Sequence, residues 1–415
     1  MSSEATDFIS DDQTSIWSLF WTFLKIGSTA FGGFMALISV VQNYLVEREK
    51  IISEDDMLDG ISLATLLPGP VAVNVVAYAG YRIRGIPGAL ACTIAVTLPS
   101  FFLILFLSYA YFEYGSTPLI NNIFLGFIPA VIAIIISAVV NMGKQTLVGS
   151  IEKSIAFFSL VALVLIYIFL PAYKFPATLG VIFTSGLTGW LAFRQKKVAS
   201  SLQIHPKNTH TSSFFHIQYL PRQIIAAGVI FSVTALTIAG IQTFLAGQIL
   251  TTFAGMSLLL FGGGFVFIPL IQDTVVQGYQ WVSHKEFVDA IAMGQITPGP
   301  ILISATFIGY KVAGVTGAIT ATAGIFAPPA ILMLACTHYL TKLKSSETLR
   351  ATLKGVRCGV IGMIASATYS VSMIADINFI TITIFAVSLF ALIKLRLEVA
   401  WIIPAAGLTT FLIYL

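Results

Sequence analysis

Apolar runs separated by short polar breaks fill almost the whole chain. They fall at about 15–37, 57–82, 87–112, 119–142, 154–172 and 176–193, then at 223–242, 246–271, 286–310, 315–340, 352–373, 378–393 and 399–415. A bilayer core about 30 Å thick is crossed by about 20 apolar residues at helical rise, so each run predicts a spanning helix. One stretch breaks the pattern. Residues 194–222 carry Arg194, Lys196, Lys197, Lys207, His205, His210, His216 and several Ser and Thr. The predicted organisation is a tail (1–14), a first membrane half (15–193), a polar linker (194–222), a connecting span (223–242) and a second membrane half (246–415).

The two halves repeat. At a shift of 230, Phe31-Gly32-Gly33 falls on Phe261-Gly262-Gly263 and Pro68-Gly69-Pro70 on Pro298-Gly299-Pro300, and twelve of the forty pairs from position 31 to 70 are identical. They include Gln42/Gln272, Ser53/Ser283 and Asp59/Asp289. Beyond the second motif the shift is 229, matching Gly80-Tyr81 to Gly309-Tyr310, Gly85 to Gly314, Gly88-Ala89 to Gly317-Ala318 and Pro99 to Pro328. Apolar composition produces chance identities, whereas Gly and Pro aligned at a fixed shift mark a duplication.

Each Pro-Gly-Pro breaks its helix, because proline removes a donor and clashes with the preceding turn. The break is either the tip of a re-entrant hairpin or the middle of one interrupted span. Basic residues concentrate on the cytoplasmic face of membrane proteins, and this rule chooses between the two. Interrupted spans give thirteen crossings, with seventeen basic residues on one side and four (Arg48, Lys50, Lys174 and Lys311) on the other. Hairpins at both Pro-Gly-Pro segments give eleven crossings and a weaker split of thirteen to eight. The expectation is therefore an all-α polytopic membrane protein of about 13 spans. It forms two inverted-topology repeats, each with a helix interrupted at Pro-Gly-Pro, with the N-terminus cytoplasmic and the C-terminus outside. Such repeats place substrates near the midplane.

Composition agrees: 57% of the 415 residues are hydrophobic and 10% charged, with a mean hydropathy of +0.92. A soluble domain is about 25% charged, so a cytosolic enzyme, a nucleic-acid binder and a disordered scaffold are excluded. The net charge of +4 marks no polyanion partner. Cys92, Cys336 and Cys358 sit at unrelated spacings and frame neither disulfides nor a thiolate metal site. The acidic N-terminus lacks the basic region of a cleaved signal peptide.

Chemistry is expected at the breaks. The half-helices after Pro-Gly-Pro are expected to start at Pro70 and Pro300, with free N–H groups on Val71, Ile301 and their successors aimed at the bilayer centre. Such a site favours an anion. The carbonyls of 65–67 and 295–297 lose their helical partners and need water, a cation or side chains. Thr65, Asn74, Gln295, Thr297 and Ser304 supply polar groups nearby. The plainer reading is a pair of structural kinks, but two matched breaks favour a site. Gly32, Gly33, Gly262 and Gly263 either pack helices or border that site. Lys25 lies about 15 Å into the first span, where a charge is costly and marks function unless it snorkels. Its counterpart in the second half is Gly255. Asp59 and Asp289 are candidates for gating or proton relay, against the plainer reading of solvated acids in a first helical turn. The three linker histidines show no metal spacing, and no hydrolase or P-loop motif occurs.

Two stretches carry a resemblance. FLKIGSTAFGG with LLPGP and GYRIRGIPGAL resembles the first domain of the chromate ion transporter family. LLLFGGGFVFIPL with GQITPGPILISATFIGYKVAGVTGA resembles its second. The resemblance implies a long-chain, two-domain secondary transporter of the cell inner membrane. Its expected substrate is a tetrahedral oxyanion, chromate moving outward, with sulfate its structural mimic and no cofactor or metal needed. Lys25 falls where the family commonly carries a basic residue. The alternative is uptake or exchange of sulfate or another oxyanion. A membrane-embedded enzyme ranks below it, because it would need a nucleophile–base pair or metal cluster that is not seen. The expected partners are the oxyanion and the lipid bilayer, with a homodimer left open and no nucleic acid.

Overall fold

A computed structural model describes residues 15–194 and 245–414, apart from Gly32, Ser116, Pro171, Ala172, Gly262, His338, Thr341, Lys342, Lys344, Ser345 and Ile374. The expected tail 1–14, the linker beyond Arg194 and the connecting span 223–242 lie outside the described residues. Every described element is helical.

In the first half, α1 (Ile16–Thr29) starts at an N-cap where Ser15 Oγ accepts from the Trp17 N–H. It stops just before the Phe31-Gly32-Gly33 segment. α2 (Gly33–Gln42) then runs into a π-helical turn, Asn43–Arg48. α3 (Glu54–Leu66) opens with Ser53 as N-cap and three acids in its first turn, which suits the positive end of the helix dipole. After Pro-Gly-Pro comes α4 (Val71–Tyr114), which is two helices, residues 71–83 and 86–114. They meet at Arg84 (φ −140°, ψ 26°) and Gly85 (φ 62°, ψ −151°), the latter a conformation essentially reserved for glycine. The two arms fold back on each other so closely that a Cβ on Gly80 would collide with the Gly88 carbonyl.

The second half repeats these features. α9 (Leu245–Ser257) ends before Phe261-Gly262-Gly263, and a 3-10 turn leads into α10 (Phe267–Ile271) and a π-helical turn, Gln272–Gly278. α11 (His284–Ile296) reaches Pro-Gly-Pro, and α12 (Ser304–Thr337) bends at Ala313 and Gly314 with dihedrals close to those of Arg84 and Gly85. Lys50 and Gln280, 230 apart, both adopt positive φ. The remaining helices are α5 (Pro118–Leu125), α6 (Phe127–Thr146), α7 (Ser150–Phe169) and α8 (Lys174–Phe193) in the first half. α13 (Glu347–Ser372), α14 (Phe379–Phe390) and α15 (Val399–Ile413) complete the second.

The Pro-Gly-Pro segments are hairpin tips, which corrects the interrupted-span expectation. Asp56, twelve residues before Pro68, pairs with Arg82, twelve after Pro70, at 2.9 Å. In one interrupted span they would stand about 39 Å apart at helical rise. Gly60 packs against the Tyr78 ring in the same hairpin. In the second half Glu286 pairs with Lys311 at 2.9 Å. The reversal comes from Pro followed by a glycine at positive φ, 105° at Gly69 and 99° at Gly299, the chemistry of a type II turn. The run 15–37 also fails as a continuous span. Thr22 Oγ1 lies 3.5 Å from Tyr44 Oη, so α1 and α2 double back around the Phe-Gly-Gly break.

These hairpins converge on the centre. The Ser100 hydroxyl, midway along residues 86–114, donates to the Pro298 carbonyl, and Gly299 abuts Ser100. Gly69 abuts Pro329, at the matching point of α12. Along the long arm 86–114, Arg82 and Asp56 mark the base of the first-half hairpin near its start. Tyr111 reaches Asp289, near the base of the second-half hairpin, about 37 Å further on. The two Pro-Gly-Pro hairpins thus enter from opposite ends of one helix and meet halfway.

Packing between helices relies on small residues, as it must where surrounding lipid is as apolar as the core. Gly27 lies on the Val96 backbone, Gly189 on Gly355, and Gly362 on Ala156. Outward faces are apolar, with Phe106, Phe158, Phe183, Leu191, Trp401 and Leu412 more than 60% exposed. A surface of that kind requires a lipid environment.

The hairpin topology is testable by side-specific labelling. In a Cys336→Ser background, Lys50→Cys and Ile86→Cys should react with an impermeant maleimide from the same side of the membrane. Labelling from opposite sides would restore the interrupted span.

Candidate functional site

The four helix breaks meet through the backbone of the opposite half. The Gly69 N–H donates to the Leu260 carbonyl at 2.8 Å, and the Gly299 N–H donates to the Ala30 carbonyl at 3.0 Å. Leu260 is Ala30 plus 230 and Gly299 is Gly69 plus 230, so the two bonds are copies of each other with the halves exchanged. Gly264 also rests on Ile301, joining the second Phe-Gly-Gly break to its own Pro-Gly-Pro tip. Gly33 opens α2, and Gly263 takes a φ of 119° with open space where a side chain would stand. Gly32 and Gly262 lie outside the described residues.

Polar groups remain unsatisfied at this junction. Pro70 and Pro300 are N-caps rather than first helical residues, at extended ψ of 100° and 134°. Helix thus begins one residue later than expected, and after Pro300 the first turn is 3-10. The N–H groups of Val71, Ala72 and Val73 find no acceptor among the described residues, and all three residues are buried. In hydrocarbon each such group costs several kcal/mol. Asn74, fully buried, donates its Nδ2 to the Pro68 carbonyl at 3.1 Å and leaves Oδ1 without a partner. Gln295 Nε2 is also buried without an acceptor. Thr297 and Ser304 donate to local carbonyls, Gly294 at 3.1 Å and Ile301 at 2.9 Å, so their hydroxyl protons are committed. The Thr65 carbonyl, expected to need a new partner, accepts from Arg357 at 2.6 Å.

The remaining expected residues separate. Lys25 is exposed on α1, beside exposed Ser28 and Thr29 and five residues before the Ala30 carbonyl that Gly299 engages. Asp289 is fully buried, with the Tyr111 hydroxyl donating to Oδ2 at 2.7 Å and Oδ1 unpartnered. Phe124 and Phe307 hold the Tyr111 ring edge-on at 4.8 and 5.2 Å. Asp59 is only half-buried. The two acids match in sequence but not in surroundings, and the solvated first-turn reading does not describe Asp289.

A second buried group leaves no motif in the sequence. Lys174 and Asp273, both buried, lie 3.6 Å apart and join the two halves. Thr178 donates to Asp273 at 2.7 Å, Lys174 to Ser370 at 3.2 Å, and the ammonium sits 3.6 Å over the Tyr167 ring. Lys174 was counted as a loop charge because it opens its helix. Its pairing with a residue about a hundred positions away leaves no local signal.

All-helical architecture, apolar flanks and breaks gathered in the interior define a multi-pass membrane protein. The profile of the chromate transporter family matches residues 17–190 and 247–411, and the chain belongs to that family. It is 32% identical over 377 residues to an uncharacterized transporter of Methanocaldococcus jannaschii, covering 91% of this chain and 89% of the relative. It is 30% identical over 393 residues to the chromate transport protein of Cupriavidus metallidurans, covering 94% and 92%. A chromate transport protein of Pseudomonas aeruginosa is 29% identical over 407 residues, covering 95% and 92%. No solved structure matches. The family points to a transporter rather than an enzyme.

Breaking the Lys174–Asp273 pair on one side should be far worse than removing both charges. Lys174→Met, which strands a buried carboxylate, should cost about 3–5 kcal/mol, and Lys174→Met with Asp273→Leu should recover most of that. Thermal unfolding in detergent reads both; an additive double mutant would show the two residues act independently.

Proposed function

We propose that the protein is a secondary active transporter that carries a tetrahedral oxyanion, chromate outward, across the cell inner membrane. The observation that carries this reading is the crossed pair of backbone bonds, Gly69 to Leu260 and Gly299 to Ala30, beside N–H groups with no acceptor. An oxyanion accepts several such bonds at once, and helix N-termini favour it further. The proposed pocket comprises Gly32, Gly33, Pro68, Gly69, Pro70, Val71 and Asn74 from the first half. Gly262, Gly263, Gln295, Thr297, Pro298, Gly299, Pro300, Ile301 and Ser304 come from the second. Lys25 stands at its approach.

The topology we propose is an inverted repeat in which all four breaks are re-entrant. Residues 86–114, α5 with α6, α7, α8, the predicted span 223–242, the long arm of α12, α13, α14 and α15 then make the crossings. An odd number before the second half turns it over. This arrangement moves Arg48 and Lys50 to the side of Arg82 and Arg84. Among the described loop and helix-end residues it leaves Lys174, Lys285 and Lys311 as the basic residues opposite. That asymmetry supports a cytoplasmic N-terminus and an external C-terminus.

Gly69→Ala would force a Cβ into Pro329 at a positive φ, strain of about 1–3 kcal/mol before any clash. In proteoliposomes, saturable chromate or sulfate flux should vanish in Gly69→Ala and fall in Lys25→Ala. A parent without saturable oxyanion flux would refute transport; parent-like flux in both variants would remove the pocket from its proposed place.

Proton coupling through Asp59 and Asp289 is part of this proposal, supported by the burial of Asp289 beside Tyr111. At fixed voltage an imposed pH gradient should change parent flux and leave that of Asp289→Asn unchanged. Parent flux indifferent to the gradient would end the coupling idea.

A further inference from the structure

α13 carries a charge that its surroundings do not explain. Arg357 is the eleventh residue of this helix, about 15 Å from its start, between buried Val356 and Cys358. Its guanidinium reaches the Thr65 carbonyl at 2.6 Å, in the last turn of α3 and three residues before Pro68. The hairpin tip it touches abuts Pro329 at the middle of a long helix. The guanidinium therefore lies at depth, beside the first Pro-Gly-Pro tip.

No carboxylate neutralises it among the described residues. Lys354, one turn earlier on the same helix, has Glu152 at 2.6 Å. Asp273 is engaged by Lys174 and Thr178, and Asp289 by Tyr111. Arg357 spends its one described hydrogen bond on a neutral carbonyl. A charge within a membrane helix is costly and is ordinarily paired. A guanidinium offers five donors in a rigid fork suited to two oxygens of one anion. The tip it reaches is not sealed: Thr65 is exposed, and Leu66 and Leu67 are half-exposed. Past the same turn, six to eight residues further along the chain than Thr65, come the N–H groups of Val71 to Val73, also without acceptors among the described residues.

We infer that Arg357 is the cationic anchor of the transported oxyanion, binding it bidentately at the first-half Pro-Gly-Pro tip. This deepens the oxyanion-transport reading and rests on it. The charge comes from the second half and the tip from the first, so the bound anion ties the two halves together. Lysine is not equivalent here, because an ammonium cannot present two parallel donors in a plane.

The test uses purified full-length protein in detergent and in proteoliposomes, with radiolabelled sulfate and chromate as probes. Arg357→Gln should raise the half-saturation concentration for flux at least tenfold. Its melting temperature without oxyanion should stay near the parent's. Millimolar sulfate or chromate should raise the parent's melting temperature, since a ligand that binds only the folded state stabilises it, and should not raise that of Arg357→Gln. Arg357→Lys should retain saturable flux at a half-saturation between the two. A parent half-saturation in Arg357→Gln, or a lowered melting temperature with ligand response intact, would overturn the inference and reduce the arginine to a cap on Thr65. If the Gln variant does not fold, the Lys variant decides: unchanged half-saturation there overturns it equally. A parent with no saturable oxyanion flux would instead refute the transport reading beneath it.

Discussion

A backbone that breaks inside hydrocarbon must find partners for the N–H and C=O groups it releases, and this constraint organises the molecule. The chain breaks four times near its centre. Within either half, Gly69 or Gly299 would present a bare N–H, and Ala30 or Leu260 a bare carbonyl. Each half supplies what the other lacks. The long helix arms, the close glycine contacts and the opposed hairpins follow as the means of bringing the tips within hydrogen-bonding distance.

What the crossed bonds leave unsatisfied is as informative as what they satisfy. The first-half tip has donors without described acceptors at Val71, Ala72 and Val73, a guanidinium nearby, and one free acceptor, Asn74 Oδ1. An excess of donors in a low-dielectric interior favours an anion, and the proposed oxyanion site rests on this. Elsewhere among the described residues Lys174 has Asp273 and Lys354 has Glu152, while buried Asp289 is held by the neutral Tyr111 hydroxyl.

The duplication was fully legible in the sequence, because glycine and proline positions encode backbone geometry directly. Gly85 and Gly314, aligned by spacing alone, prove to share one unusual backbone conformation. The direction of the chain after each break was not legible. Proline signals that a helix stops, and Pro-Gly signals a possible turn, but neither says on which side the next helix packs. The count of basic residues depends on which runs cross the membrane. With reversal only at the Pro-Gly-Pro segments, or at neither pair, the Phe-Gly-Gly runs stay spans; reversal at both, as in the proposed topology, brings Arg48 and Lys50 to the side of Arg82 and Arg84. In the sequence Arg357 is one of the seventeen basic residues of one side. Its contact with the Thr65 carbonyl depends on α3 folding back to meet α13, a contact between residues nearly three hundred positions apart.

At the helix breaks the joint between the halves is made of main-chain atoms, whereas side chains such as Lys174 and Asp273 tie the halves together elsewhere. A side-chain interface constrains both partners, since a substitution on one face must be answered on the other. A joint of N–H and C=O groups asks only that glycine remain where the turn needs it. Twelve of forty central positions agree between the halves, and one half has Lys25 where the other has Gly255, yet the same pair of backbone bonds holds both. A frame joined in this way tolerates side chains that differ between its halves.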